Sequence, residues 1–239
     1  MKKTSESLIE KYNTFTRRPT VLDPSIKNIM YKSFRRSLSV WLPNNKDLQI
    51  LDIACGEGSL LCFLKDNGFS NLAGFDLSEE NVRICHCLSL DFVVQFDALD
   101  VIQYRLGQSY DLIFLLDILE HIPKQSASDF LKNVGERLNS GGVLIIQTPN
   151  MGSICGIYHR YNDLTHEFGV TEKSIRDLLL CSGFDKENID VRPAWNATTP
   201  IGYLREIYLR LLHFLYTLGE DSSRPKIPTK NLLIRVIKG

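Results

Sequence analysis

Short apolar runs recur along this chain and alternate with stretches whose apolar residues fall at helical spacing. The runs are residues 49–54 (QILDIA), 72–76 (LAGFD), 92–96 (FVVQF), 111–116 (DLIFLL) and 143–148 (VLIIQT), the last following the turn Asn139-Ser140-Gly141-Gly142. Two later strand candidates are residues 189–192 and 231–237. Between them lie helical patterns: one running on to Lys65, one opening at Ser78 with Glu79 and Glu80 behind it, and one over 171–181 closed by Gly183. Runs apolar throughout, separated by helices, predict βαβ units and a mostly parallel sheet buried on both faces. Upstream, Ile26, Ile29, Met30, Phe34, Leu38, Val40 and Trp41 predict a helix stopped by Pro43. Residues 1–24 are polar, with Tyr12 and Phe15 interspersed, and read as a helix or lid. The predicted organisation is thus an N-terminal helical segment, 1–44, and one α/β domain, 45–239, with acceptor-side insertions near 150–170 and 195–228.

Residues 201–218 (IGYLREIYLRLLHFLYTL) stand apart. Glu206, Arg210, His213 and Thr217 make a narrow polar stripe on an otherwise apolar helix. Those polar groups argue against a membrane span. A wide apolar face predicts a helix packed into the domain; the alternative is peripheral contact with a membrane surface or a partner.

At 239 residues the chain suffices for one sizeable domain, and 44% hydrophobic residues suffice for a core. Its 28 Lys and Arg balance 28 Asp and Glu, which leaves no basic footprint for nucleic acid. The cysteines (Cys55, Cys62, Cys85, Cys87, Cys155, Cys181) form no CxxC pair and no zinc spacing with histidine. With no apolar leader after Met1, a reducing cytoplasm is the expected location, and the thiols are expected to act as small buried hydrophobes.

The main chemical signal is residues 51–60, LDIACGEGSL. A buried strand runs into a glycine-rich turn that opens a helix, so backbone can pass close to a ligand and free N–H groups point at it. Eighteen residues after Gly58 the second run ends in Asp76, suited to a ribose diol; the third ends in Phe96-Asp97-Ala98, where an acidic side chain can meet an adenine amino group. A nicotinamide site would need a third glycine where Leu61 stands. Asp52 and Glu57 do not suit a pyrophosphate; they suit a ligand carrying an ammonium and a sulfonium.

Taken together, the LDIACGEG turn, Asp76 in GFDLS, Asp97 in QFDALD and the segment DLIFLLDILEHIP resemble the ordered motifs of class I S-adenosylmethionine-dependent methyltransferases, over about residues 45–150. The resemblance implies a Rossmann-like α/β fold. Its seven-stranded, mostly parallel sheet would carry an antiparallel last strand, residues 231–237, and helices on both faces. It implies that Ala54 and Gly56 face the methionine part, Asp76 the ribose, Leu77 the adenine and Asp97 the adenine edge. With Asp52, Cys55, Gly58, Ala98 and Leu116 these make up the expected cofactor lining. Ala54 stands where many members carry glycine. The region Asn162-Asp163-Leu164-Thr165-His166-Glu167 through Gly183-Phe184 is similar to bacterial methyltransferases of surface-polysaccharide and other sugar pathways.

Methyl transfer to a hydroxyl needs alignment, exclusion of water and a base for the departing proton. Of five histidines, His86 and His213 read as structural. His121, after the fourth strand, and His166, in the loop after the fifth, are the candidate bases. The resemblance to quinone-pathway O-methyltransferases, in which such residues bind a metal, also makes Asp117, Glu120 and His121 a candidate divalent-cation set, since i, i+3, i+4 spacing shares one helical face; a metal is nonetheless not expected. Tyr158, Arg160, Tyr161 and Asp163 are candidate acceptor contacts because their density of polar and aromatic groups suits a polyol. The expected activity is O-methylation of a sugar, nucleotide-sugar or glycan hydroxyl, leaving S-adenosylhomocysteine. The alternatives are a small-molecule methyltransferase acting on a quinone-like phenol or an amine, and a non-catalytic S-adenosylmethionine-binding subunit. The sequence does not fix the oligomeric state.

Overall fold

The computed structural model describes residues 23–219 and 224–239, so most of the predicted N-terminal lid, 1–22, lies outside the described residues. The elements are α1 (Pro24–Leu38), β1 (Ile50–Ile53), α2 (Ser59–Asp66), β2 (Leu72–Asp76), α3 (Glu79–Cys87), β3 (Val93–Gln95), β4 (Tyr110–Leu116), α4 (Ala127–Glu136), β5 (Leu138–Pro149), α5 (Gly156–Tyr161), α6 (Glu172–Cys181), β6 (Ile189–Pro193), α7 (Pro200–Thr217) and β7 (Asn231–Ile237). The strands form one seven-stranded sheet in the order β3-β2-β1-β4-β5-β7-β6, in which β7 alone runs antiparallel to its neighbours. This is the predicted sheet, antiparallel last strand included.

Side-chain alternation along the strands builds two cores. Leu51, Ile53, Ile113, Leu115, Leu144 and Ile146 face α4 and α6, where Phe130, Leu131, Ile175 and Leu179 meet them. Ile50, Leu112, Phe114 and Ile145 face the other layer, formed by α1, α2 and α3. Tyr31, Leu38 and Trp41 are buried in that second core, so the described part of the N-terminal segment packs as part of the domain. Ser78 caps α3 and Thr171 caps α6, the latter in a reciprocal capping box with Ser174. The predicted turn at 139–142 sits inside β5 instead, as a register shift between Tyr110/Leu138 and Leu112/Val143. Gly141 and Gly142 still pair there with Lys238, which keeps the strand continuous.

Two sequence expectations are corrected. Cys55, Cys62 and Cys85 are buried, but Cys87, Cys155 and Cys181 are exposed, since they lie on outward helix faces or in a loop. The 201–218 helix is not packed through its apolar face. Gly202, Glu206, Leu209, His213 and Thr217 turn inward, and the apolar side faces outward. Specific partners hold the polar stripe: Arg36 makes a two-pronged pair with Glu206 (2.9 and 2.5 Å) and reaches the Ala197 carbonyl, and His213 Nε2 lies 3.0 Å from the Pro225 carbonyl. These bonds, with Thr217 Oγ1 donating to the His213 carbonyl (2.8 Å), let the stripe face the protein. No helix among the described residues is long and apolar enough to cross a membrane.

Candidate active site

The strand order reverses between β1 and β4, and ligands of open α/β sheets bind outside the carboxyl ends of the strands at such a point. The β1 turn lies there. Ala54 (φ 56), Gly56 (φ 54) and Gly58 (φ 76) all adopt left-handed backbone, a conformation that costs a non-glycine residue roughly 1–2 kcal/mol. A Cβ on Gly56 would meet nothing within 4 Å, so the turn presents open space at that backbone. Gly58 faces the other way: a Cβ there would stand 2.6 Å from Leu90 and 2.9 Å from the Cys85 sulfur, and its N–H closes the turn onto the Cys55 carbonyl. Its glycine serves packing on α3.

Gly74 in β2 carries a signal that the sequence reading missed. A Cβ there would fall 2.7 Å from Leu61. Leu61 occupies the third-glycine position of a dinucleotide turn, and the space it needs is conceded by the neighbouring strand. A glycine inside an apolar strand is the readable mark of such an approach.

Asp52 is buried, and among the described residues none donates a hydrogen bond to its carboxylate; burial, then the charge of Asp76, pushes its carboxyl well above the usual range. Asp76 accepts from the Gly56 N–H (2.8 Å), the Ser78 N–H (2.9 Å) and Asn81 Nδ2 (2.9 Å). Burial nonetheless raises its carboxyl, outweighing those bonds. The charged forms of two adjacent buried carboxyls, one lacking donors, would be favoured by a cationic ligand, and the open turn at Gly56 beside them leaves room for the ammonium end of one. A carboxylate offers about four acceptor positions, so three internal bonds leave Asp76 room for a ribose hydroxyl. Asp76→Ala should lower affinity for S-adenosylhomocysteine at least tenfold by calorimetry, since the change also unties the Gly56 turn and bonds to charged groups contribute about 1.5–3 kcal/mol. A loss below twofold would remove Asp76 from this role.

Leu77 is half-buried and its carbonyl accepts from Gln95. Asp97 is exposed and caps a 3-10 turn through the Leu99 N–H, with Ala98 buried behind it. Leu116 ends β4 half-buried.

Past β4, Asp117 takes left-handed backbone (φ 57) and Leu119–His121 is a single 3-10 turn, so the common helical face supposed for Asp117, Glu120 and His121 does not form. Asp117 is exposed and accepts from Gln147 and Asn231. The chain assembles a different trio. Carboxylate and ring-nitrogen atoms of Glu120, His121 and His166 lie within 4.8 Å of one another, and the two imidazoles meet edge to face at 4.9 Å. The two candidate bases therefore belong to one cluster. The 151–170 loop brings His166 there because Glu167 N–H bonds the Glu120 carbonyl and Met151 N–H the Val170 carbonyl.

The hydrogen bonds set the tautomers. His166 Nδ1 lies 3.0 Å from the His159 carbonyl, which can only accept, so Nδ1 carries the proton and Nε2 is the basic nitrogen. Thr165 Oγ1 donates to Asp163 (2.6 Å) and so accepts from His121 Nδ1 (2.8 Å), leaving His121 Nε2 basic too. Burial lowers the His166 pKa below its ordinary value, with the Asp163 charge opposing. Glu120 is buried and accepts from Thr148 Oγ1 (3.0 Å); burial, then Asp117, pushes its carboxyl well up and favours its protonated form.

Among the candidate acceptor contacts, Arg160 is spent on the loop's own His166 and Glu167 carbonyls (2.5 and 2.8 Å), and Asp163 on Thr165. Tyr158 and Tyr161 are exposed on α5.

An open glycine turn and two buried carboxyls, at the ends of β1 and β2, thus stand together at the switch point of an α/β sheet. The family described as "Methyltransferase domain" matches residues 27–189. This chain belongs to that family. The fold aligns with an S-adenosylmethionine-dependent methyltransferase from Archaeoglobus fulgidus (TM-score 0.66, 19% identity, 89% of this chain and 94% of that one). It also aligns with magnesium protoporphyrin IX methyltransferase from Synechocystis PCC 6803 (TM-score 0.58, 18% identity, 99% and 98%). In sequence it is 26% identical over 106 residues to a ubiquinone biosynthesis O-methyltransferase of Rickettsia bellii, covering 44% of this chain and 43% of that protein. The match thus spans less than half the length of that relative.

Proposed function

We propose that this methyltransferase acts on a hydroxyl of a small, phenol- or quinol-like acceptor, with the Glu120–His121–His166 cluster receiving its proton. The observation that carries this reading is that cluster: two imidazoles, each with Nε2 as its basic nitrogen, at the carboxyl ends of β4 and β5 beside the β1 turn. The donor supplies a methyl group already activated by its sulfonium. The acceptor oxygen attacks the methyl carbon, the carbon–sulfur bond breaks to leave a neutral thioether, and His166 Nε2 takes the hydroxyl proton.

A sugar acceptor has less support than the sequence suggested. Its case rested on polar side chains of the 150–170 loop, and Asn150, Arg160 and Asp163 are engaged with the protein's own groups. The relatives named for ubiquinone biosynthesis favour a phenolic hydroxyl. Six free thiols fit a reducing cytoplasm. The test is a panel of catechols, hydroquinones and sugar nucleotides with methyl-labelled donor, read by mass spectrometry. Methylated phenols support the reading, and methyl transfer to sugars alone overturns it.

Glu120, His121 and His166 also have the composition of a divalent-cation set. A proton-accepting role predicts full turnover in EDTA. Loss of turnover in chelator, restored by magnesium or manganese, would assign the cluster to a metal.

A further inference from the structure

The outward face of α7 is a long apolar strip that the methyl-transfer site does not use. At about 100° per residue, the inward stripe 202, 206, 209, 213 and 217 leaves Leu204, Leu211 and Leu215 at the centre of the opposite side, all more than half exposed. Ile207 and Leu218 extend this centre, with Tyr203 and Phe214 on one flank and Tyr208 and Leu212 on the other. A monomeric surface rarely carries an apolar strip of this length without a function.

The charges around it choose the occupant. Arg210 borders one flank and Arg205 the other, and the helix's single acid, Glu206, is turned inward onto Arg36. The Arg36 clamp sets the end of α1 beside the start of α7, and α1 adds the exposed Lys32 and Arg35 with no acidic residue along its length. Exposed Arg224 and Lys226 flank Pro225, whose carbonyl lies 3.0 Å from His213 at the other end. Among the described residues, in a chain of zero net charge, this face is apolar and bordered by cations. A second copy docked on it would bring arginine against arginine. An anionic lipid surface supplies phosphates for the arginines and hydrocarbon for the leucines, while tyrosines on the flanks sit at headgroup depth.

We propose that α7 lies in the interface of an anionic membrane and holds the enzyme there without spanning it. The acceptor's identity does not enter this argument. The test is flotation of the full chain with vesicles of phosphatidylcholine alone or mixed with phosphatidylglycerol. Binding should require phosphatidylglycerol, disappear in the Leu204→Glu, Leu211→Glu double variant, and weaken roughly fivefold for each of Arg205→Gln and Arg210→Gln. S-adenosylhomocysteine affinity, measured separately, should be unchanged in all variants, which shows them folded and keeps this test apart from that of the methyltransferase site. Failure to bind vesicles overturns the proposal, whether the face is then covered by a second copy, seen as a dimer in sedimentation, or by residues 1–22. Vesicle binding that survives the double variant overturns it as well.

Discussion

Gly56→Val should abolish binding of S-adenosylmethionine and its product while leaving the domain folded. Two features give this the largest expected effect on the donor. The Gly56 Cβ position points into open space at the cradle, so a branched side chain there occupies ligand volume. The residue also sits at φ 54, where a β-branched side chain is strained by roughly 1–2 kcal/mol. That strain is a modest part of the roughly 5–15 kcal/mol by which domains are stable, so melting should fall by only a few degrees. Affinity by calorimetry should fall at least about a hundredfold, or roughly 2.7 kcal/mol. Gly56→Ala separates the two effects, because it carries the backbone strain with far less bulk, and should bind more tightly than the valine variant. Unchanged affinity in Gly56→Val would show that the ligand does not pass this turn.

The second large effect belongs to His166. His166→Ala should lower turnover on the true acceptor on the order of a hundredfold or more, with donor affinity little changed. The pH profile adds a readout that loss of packing would not give. Only the neutral imidazole accepts a proton, and burial lowers the His166 pKa. Activity should therefore persist below the ordinary histidine value of about 6.5 and fall as pH drops through the lowered pKa. The same sign applies to folding: the native state favours neutral His166, so its contribution is present above the unfolded pKa and lost on acidification. Near-normal turnover in His166→Ala would move the proton acceptor to His121, whose Nδ1 is tied through Thr165 to Asp163.

The strands were legible because period and composition are local properties. Residues 72–76 and 231–237 are strands over their predicted lengths, and the turn at 52–58 stands at the predicted edge. The candidate histidines could be picked out one at a time, but not their grouping. His121 and His166 are 45 positions apart, and a loop bond from Glu167 to the Glu120 carbonyl joins them. The polarity of Arg160 and Asp163 was visible, yet sequence does not say whether a polar group spends its hydrogen bonds on a ligand or on its own loop. The orientation of α7 failed for the same reason. Apolar faces go inward by default, but Glu206 finds Arg36, 170 residues away, and that pairing turns the stripe toward the protein. Helix α4 went unread although Phe130, Leu131 and Val134 line one face of it.

The contact between Leu61 and Gly74 has a consequence for altering this turn. In a dinucleotide-binding fold the helix yields the space; here bulk stands on the helix and the strand yields it. The two positions behave as one unit of volume split between two elements. Leu61→Gly alone empties a buried site, and Gly74→Ala alone overfills it. Installing a nicotinamide-type turn in this chain therefore requires a compensating side chain on β2, and the single changes report a coupling rather than the worth of either residue.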